Sequence, residues 1–243
     1  MKPAKTTPVQ LIPESWSQIP YGELYRDSLT DQLRYYLTKL YGFHFVKIGN
    51  LSAEIATEEC AIAHQVNVGL QGEKLQVRAN PFNLPFAAKS VDACLLAHTL
   101  SWSNDPHRIL REVDRVLIDD GWIILSGFNP FSLLGVGKLL PFMQRKVPYN
   151  SRMFTSARLS DWLSLLNYEV IQQDYVQLFP WSSRGGGTFS THFPALGCLH
   201  LIMARKRTFP LTLNTAQTRT RKPTLQPASA TRQWRSHRHQ ETD

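Results

Sequence analysis

The sequence lacks an apolar run long enough to span a membrane, although 42% of its 243 residues are hydrophobic. A transmembrane helix needs roughly 20 consecutive apolar residues, so we expect no membrane span. Cysteine is scarce, and no two of the three residues have the spacing of metal ligands: Cys60, Cys94 and Cys198. We therefore expect no metal site and buried free thiols, as in a cytoplasmic protein. The first residues, MKPAKTTPVQ, lack the apolar core of a signal peptide, so we expect no cleaved leader.

Acidic residues are few at the end of the chain, where most of the net charge of +8 lies. From Lys206 onward, eight lysines and arginines face two acids, Glu241 and Asp243, a net +6. The preceding 205 residues therefore carry 19 basic and 17 acidic groups, a net +2. Residues 207–243 are polar and punctuated by proline, which predicts a disordered basic tail. This tail either contacts a nucleic acid or only aids solubility, and the second interpretation is the simpler one.

Residues 84–128 read as a strand, a crossover helix and a second strand. Val91–Ala97 is a short apolar run, typical of a parallel strand that is covered on both faces. Asp105 followed by Pro106 predicts the start of a helix, and Asp119-Asp120-Gly121 predicts its end, with Gly121 at positive φ. Trp122–Leu125 then supplies the next strand. The apolar stripe of the helix recurs at helical spacing: Ile109, Leu110, Val113, Val116 and Leu117.

Strands and helices alternate over the rest of the chain. Residues 1–20, with four prolines, are predicted to form a surface arm. Tyr21–Tyr41 predicts a helix with a break near Asp27–Asp31, Ser52 is predicted to cap a short helix, and Thr155 or Ser156 a later one. Further strands are predicted at Phe43–Ile48, Gln65–Val68, Leu75–Ala79, Tyr168–Gln172 with Tyr175–Phe179, and Leu196–Ala204. Residues 21–206 are therefore predicted to form an α/β domain, a doubly wound Rossmann-like sheet of about seven strands with an antiparallel edge strand.

Ligands of such sheets bind at the carboxyl ends of the strands. That edge is predicted to hold Gly49–Ser52, Asn67–Leu70, Asn80–Phe82, His98–Leu100 and Phe128–Phe131. We expect the binding site there. Asn129-Pro130-Phe131 either forms a turn or shapes a substrate pocket, and a turn is the simpler interpretation.

A set of short motifs carries a resemblance to a known family: Leu84-Pro85-Phe86, Ser90-Val91-Asp92, Asp105-Pro106, Arg111-Glu112, Arg115-Val116-Leu117 and Gly121. They resemble class I S-adenosylmethionine-dependent methyltransferases, in the branch that includes C- and O-methyltransferases of ubiquinone, menaquinone and biotin synthesis. The resemblance implies a methyltransferase with S-adenosylmethionine as its cofactor and a small or lipid-like molecule as its substrate. It is dense over residues 84–127 and thinner over 41–83.

The resemblance also implies where the cofactor binds. His98, which follows the fourth strand, is a candidate general base, and a packed histidine is the other interpretation. Apart from His98, no catalytic residue is indicated. The implied cofactor-binding residues are Gly49, Asn50, Leu51, Ser52, Asn80, Pro81, Phe82, His98, Thr99 and Leu100.

The cofactor loop departs from the family pattern, in which an acid and three alternating glycines follow the first strand. Lys47 stands at the acidic position, Leu51 and Ala53 replace two glycines, and Asn80 replaces an aspartate. No acid occurs between Gln65 and Gly72, where the family has a ribose-binding carboxylate. These differences predict weak or altered cofactor binding. A methyltransferase-like pseudoenzyme, serving as a binding or regulatory module, is the alternative. Lys47 is expected to pair with Glu54 or to point into solvent.

Two further segments have no defined motif. Phe131–Met143 is apolar with basic neighbours. It could cap an apolar substrate or contact a membrane surface, and a helical lid over the sheet is the simpler interpretation. Ser182–Pro194 contains several glycines and is predicted to be a flexible loop over the site.

Overall fold

A computed structural model describes residues 12–144, 146–176 and 196–207. The predicted loop Ser182–Pro194, the first 11 residues of the predicted arm and the tail beyond residue 207 lie outside the described residues. Within the described ranges, seven strands form one sheet in the order β3-β2-β1-β4-β5-β7-β6. Their bounds are His44–Ile48 (β1), His64–Gly69 (β2), Val77–Arg78 (β3), Val91–Ala97 (β4), Leu117–Phe128 (β5), Tyr168–Val176 (β6) and Leu199–Lys206 (β7).

Helices connect and cover these strands. The α-helices span Gly22–Leu37 (α1), Asn50–Ala53 (α2), Pro106–Val116 (α3), Leu133–Gly137 (α4) and Ser156–Leu165 (α5), and short 3-10 helices span Trp16–Gln18 and Thr99–Trp102. None of the helices in the described ranges is both long and apolar enough to cross a membrane.

The strand pairing confirms the predicted fold class. Strands β1 to β5 pair in parallel, and β7 is antiparallel to both β5 and β6. Successive side chains of a strand point to opposite faces of the sheet. Phe45 and Leu95 therefore pack on the face that α1 covers, whereas Val46 and Leu96 pack against α3 and α5 on the other face. Burial on both faces explains why these strands read as continuous apolar runs.

Three local predictions were wrong. Helix α1 runs through Asp27–Asp31 without a break. Ser52 lies inside α2, and its hydroxyl donates a hydrogen bond to the Ile48 carbonyl at 2.6 Å instead of capping a helix. Helix α3 ends at Val116, and the positive φ of the following segment belongs to Asp120 (66°).

Gly121 is needed for a different reason than its predicted role. A Cβ at this position would lie 3.0 Å from the Ile118 carbonyl oxygen and 3.1 Å from the Asp92 carbonyl oxygen. The residue therefore permits a close approach of the backbones of β4 and β5. The structure differs from the prediction because Leu117 already has extended dihedrals, so the chain passes directly from α3 into β5.

The residues that precede α1 contribute to the core. Trp16 is fully buried in the cluster that includes α1. Its indole Nε1 donates to the Leu51 carbonyl at 2.9 Å, and its backbone N–H donates to the Glu54 carboxylate at 3.2 Å. The described part of the N-terminal segment, residues 12–20, is thus attached to the loop that follows β1.

Replacing Asp105 with alanine is expected to lower the free energy of unfolding by about 1 kcal/mol. The Asp105 carboxylate accepts a hydrogen bond from the Arg108 N–H at 3.0 Å and caps α3. Alanine leaves that N–H without this acceptor. Urea denaturation measures the change, and Asp105→Asn is the matched control because asparagine caps helices about as well as aspartate. Equal losses in the two variants would contradict the capping role.

Candidate functional site

A cavity of about 580 Å³ opens at the carboxyl edge of the parallel strands. Pockets of this size and of mostly apolar lining are typical of small-molecule and cofactor sites. The loops after β1, β2, β3 and β4 form most of its wall, and the segment before α1 closes one side. The lining residues are Ile12, Pro13, Glu14, Gly49, Asn50, Leu51, Gly69, Leu70, Gln71, Asn80, Pro81, Phe82, Ala97, Thr99, Trp102, Ser103, Asn104 and Ile109.

Gly49 forms the tightest part of the wall. Its φ is 95°, and a Cβ at this position would lie 2.7 Å from Thr99 Oγ1. The position of that hydroxyl is itself defined, because Thr99 Oγ1 donates to the Ile48 carbonyl at 2.6 Å. Only glycine fits both the backbone conformation and the space. The loop after β1 therefore exposes its bare backbone to the cavity.

Asn80 lines the cavity and also organises its own loop. Its Oδ1 accepts a hydrogen bond from the Phe82 N–H at 3.0 Å, which makes an Asx-turn. The guanidinium of Arg108 lies 5.2 Å from the centre of the Phe82 ring. Asn80 therefore both forms the turn and lines the cavity.

Seven of the ten residues that the resemblance implied line the cavity: Gly49, Asn50, Leu51, Asn80, Pro81, Phe82 and Thr99. The other three, Ser52, His98 and Leu100, are buried beside it. Ser52 Oγ accepts the Ala97 N–H at 2.7 Å while it donates to the Ile48 carbonyl. It therefore ties the ends of β1 and β4 together beneath the cavity.

His98 is fully buried and does not line the cavity. Its ring lies 4.2 Å from that of Phe128 and 5.1 Å from that of Trp16, between centroids. Burial, together with the neighbouring His200, lowers the pKa of His98 to about 3. Within the described part of the chain, neither ring nitrogen has a hydrogen-bond partner. The packed interpretation of this histidine fits these contacts, and they do not support a role as general base.

Lys47, which stands at the family's acidic position, is directed away from the cavity. Its Nζ donates to the Ile55 carbonyl and to Thr57 Oγ1, both at 3.2 Å. Thr57 Oγ1 in turn donates to Gln65 Oε1 at 2.5 Å. Burial lowers the pKa of Lys47, and the nearby Glu58 partly opposes this effect. The expectation of a pair with Glu54 or of an exposed ammonium group was wrong, and Lys47 is not among the cavity residues.

Several cavity residues were not predicted as part of the site. Trp102, Ser103 and Asn104 follow the predicted turn after β4, and Ile12–Glu14 come from the presumed surface arm. Glu14 is the one charged residue that lines the cavity among the described residues. Trp16 is the residue from which the role of the N-terminal segment could have been predicted, because a tryptophan in a proline-rich arm seldom stays exposed to solvent. The described ranges contain no group of three or more His, Cys, Asp or Glu that is arranged to hold a metal ion.

The sheet order with its antiparallel β7, together with a cavity over the ends of β1, β2 and β4, is characteristic of class I S-adenosylmethionine-dependent methyltransferases. A methyltransferase-domain family model matches residues 44–125. The chain belongs to this class of methyltransferases. It is similar to the uncharacterized protein YafS of Escherichia coli (strain K12), with 57% identity over 236 residues, 97% of this chain and 98% of YafS.

Solved structures agree on the fold. An S-adenosylmethionine-dependent methyltransferase from Mesorhizobium loti matches with a TM-score of 0.54 and 15% identity, over 74% of this chain and all of its own length (100%). A possible histamine N-methyltransferase from Thermotoga maritima matches with a TM-score of 0.51 and 18% identity, over 76% of this chain and 99% of its own. At such low identities these matches support the fold alone.

Proposed function

We propose that this methyltransferase holds S-adenosylmethionine in the cavity at the carboxyl edge and methylates a small or lipid-like molecule. The observation that carries the proposal is the Gly49 backbone, which is bare, faces the cavity and leaves no space for a side chain. When bound, the cofactor supplies an electrophilic methyl group on its sulfonium. The protein then has mainly to position the two reactants, because in-line transfer depends chiefly on proximity and orientation.

The donors and acceptors of the cavity suit this cofactor. Asn80 offers its amide to the adenine, and Gln71, just past the end of β2, offers an uncharged amide to the ribose hydroxyls. Glu14 supplies the negative charge that a ligand with a sulfonium and an ammonium group requires. We therefore assign adenine contact to Asn80, ribose contact to Gln71 and charge complementarity to Glu14.

The uncharged amides are expected to bind the cofactor less tightly than carboxylates do. A hydrogen bond to a charged group contributes about 1.5–3 kcal/mol, against about 1 kcal/mol for a neutral pair. The difference of about 0.5–2 kcal/mol means that each replacement weakens binding by roughly twofold to thirtyfold. Lys47 does not line the cavity, since its Nζ bonds to the Ile55–Thr57 segment.

Apolar side chains of the cavity support a small or lipid-like substrate. Ile12, Leu70, Phe82 and Trp102 contribute to its wall, and Ser103 and Asn104 add polar groups to the same lining. The cytoplasm stays our prediction for the location of the protein. Its three cysteines are buried, which suits a reducing compartment.

Calorimetric titration with S-adenosylmethionine and S-adenosylhomocysteine is expected to show binding that depends on Asn80. Asn80→Ala should weaken binding about tenfold, whereas Asn80→Asp should strengthen it by restoring a charge-assisted hydrogen bond. Asn83→Ala is the matched control. This asparagine lies three residues away in the same loop, and its side chain bonds to Arg108 outside the cavity.

The absence of heat with either ligand at millimolar concentration would contradict the proposal and favour the pseudoenzyme alternative. Equal effects of Asn80→Ala and Asn83→Ala would contradict the assigned role of Asn80. Mass spectrometry of ligand released from the purified protein provides an independent measurement, in which bound S-adenosylhomocysteine is the expected result.

A further inference from the structure

An exposed cluster of large apolar side chains follows β5. It comprises Phe131, Leu133, Val136, Leu139, Leu140 and Phe142, here called the 131–142 surface. Leu139 is 77% exposed and Phe142 is 70% exposed. Single exposed apolar residues are normal, but six within 12 residues of sequence mark an interaction surface.

The 131–142 surface is held in place from below. Ser132 Oγ accepts the Gly135 N–H at 3.2 Å and caps α4, and Leu134 is buried in the core. Gly135 packs so closely on the Pro130 carbonyl that a Cβ would overlap it. Lys138 Nζ donates to the Ser151 carbonyl from the underside. The apolar side chains are therefore presented outward by an anchored segment.

The backbone of this segment satisfies much of its own hydrogen bonding. Leu139 N–H donates to the Val136 carbonyl at 3.0 Å, Leu140 N–H to that of Gly137 at 3.2 Å, and Met143 N–H to that of Leu140 at 3.0 Å. Consecutive turns of this kind suit a segment that enters a lipid interface, where a polar backbone group without a partner is costly.

The sequence around the surface carries only positive charge. Residues 121–160 contain no aspartate or glutamate and five basic residues: Lys138, Arg145, Lys146, Arg152 and Arg158. Lys138 and Arg152 donate to backbone carbonyls, whereas the exposed Lys146 follows the surface directly, with its backbone N–H bonded to the Met143 carbonyl at 2.9 Å. An apolar surface within a basic stretch is complementary to an anionic bilayer. A symmetric contact with a second copy would instead bring two basic stretches together, which like-charge repulsion disfavours.

The 131–142 surface is also connected to the candidate site. Arg152 N–H donates to the Ser101 carbonyl at 2.8 Å, and its guanidinium donates to the Asn104 carbonyl at 3.1 Å. Asn104 lines the cavity. Because Lys138 Nζ donates to the carbonyl of Ser151, which precedes Arg152, the surface is linked to the cavity wall through residues 151–152.

We propose that the 131–142 surface docks the protein on an anionic lipid bilayer, with its apolar side chains inserted at the interface. The docking is peripheral and requires no spanning helix. It does not depend on methyl transfer, because binding to lipid can be measured without cofactor or substrate.

Co-sedimentation of the full chain with phosphatidylglycerol–phosphatidylcholine vesicles tests this proposal. Leu139→Asp/Phe142→Asp is expected to lower the partition coefficient at least about tenfold, because two inserted apolar groups become anionic. Leu165→Asp is the matched control, since Leu165 is 62% exposed on α5, outside the surface. Wild-type binding should fall with added salt and with pure phosphatidylcholine.

Three results would overturn the proposal: wild-type protein that stays in the supernatant, equal binding of the double variant, and an equal loss in Leu165→Asp. Sedimentation velocity distinguishes a further outcome. A dimer that the double variant dissociates, without binding to vesicles, would assign the surface to a second copy. Thermal unfolding checks that the variants fold, and Leu139→Gln/Phe142→Gln replaces the Asp double variant if that variant does not fold.

Discussion

Replacing Trp16 with alanine is expected to lower the free energy of unfolding by about 3–5 kcal/mol and to weaken cofactor binding as well. The side chain is fully buried, and its indole N–H bonds to the Leu51 carbonyl beside the cavity. Removal leaves a large void in the core and releases Ile12–Glu14 from the cavity wall. Urea denaturation and titration with S-adenosylhomocysteine measure the two effects separately.

Trp122→Ala is the matched control for this prediction. Trp122 packs against the same core cluster but does not line the cavity. The Trp122→Ala variant should be less stable than the wild type, but it should keep the wild-type affinity for S-adenosylhomocysteine under conditions where it is folded. Unchanged affinity in Trp16→Ala would show that the N-terminal segment takes no part in the site, whatever the loss of stability.

Acidification is expected to destabilise the protein by about 4 kcal/mol between pH values of about 7.5 and 5, through two buried histidines. Burial lowers the pKa of His98 to about 3, with a contribution from His200, and that of His200 to about 4. In the unfolded chain both pKa values return to about 6.5. As the pH falls below that value, the unfolded state binds protons that the folded state does not. Stability is therefore lost, by about 2 kcal/mol for each histidine.

His200→Phe is expected to remove about half of this acid dependence. Urea denaturation over the same pH range measures the free energy of unfolding of each variant. The slopes of this free energy with pH are compared, because a loss of packing that does not change with pH leaves the slope unaltered. Met203→Leu, on the same strand β7, changes the core without removing a titratable group; it is the control and should keep the wild-type slope. An unchanged slope in His200→Phe would show that the buried imidazoles do not titrate as their environment implies.

The fold could be predicted because its signals are local. The apolar run Val91–Ala97 coincides with β4, and Asp105 with Pro106 starts α3 as expected. Their chemistry acts within a few residues, through a cap, a fixed φ or burial on two faces. The end of α3 was misplaced because Gly121 serves a contact with β4, which lies almost 30 residues earlier in the sequence.

The candidate site could be predicted only in part. Gly49 and Asn80 lie in loops at the ends of strands, and the position of these loops follows from topology. The sequence does not show which side chains of these loops face the cavity. Ser52, His98 and Leu100 were therefore included in the predicted site, although they are buried beside the cavity. Glu14 was missed because its place depends on the distant contact between Trp16 and Leu51.

The sequence by itself determined the class of protein, the sheet with its parallel strands, and the edge at which the cavity opens. These properties depend on hydrophobic pattern and on local backbone chemistry. Tertiary structure alone decided that Lys47 turns away from the cavity, that His98 is packed, and that Glu14 brings a charge to the wall. The physical reason is that the direction and burial of a side chain depend on neighbours that are far away in the chain.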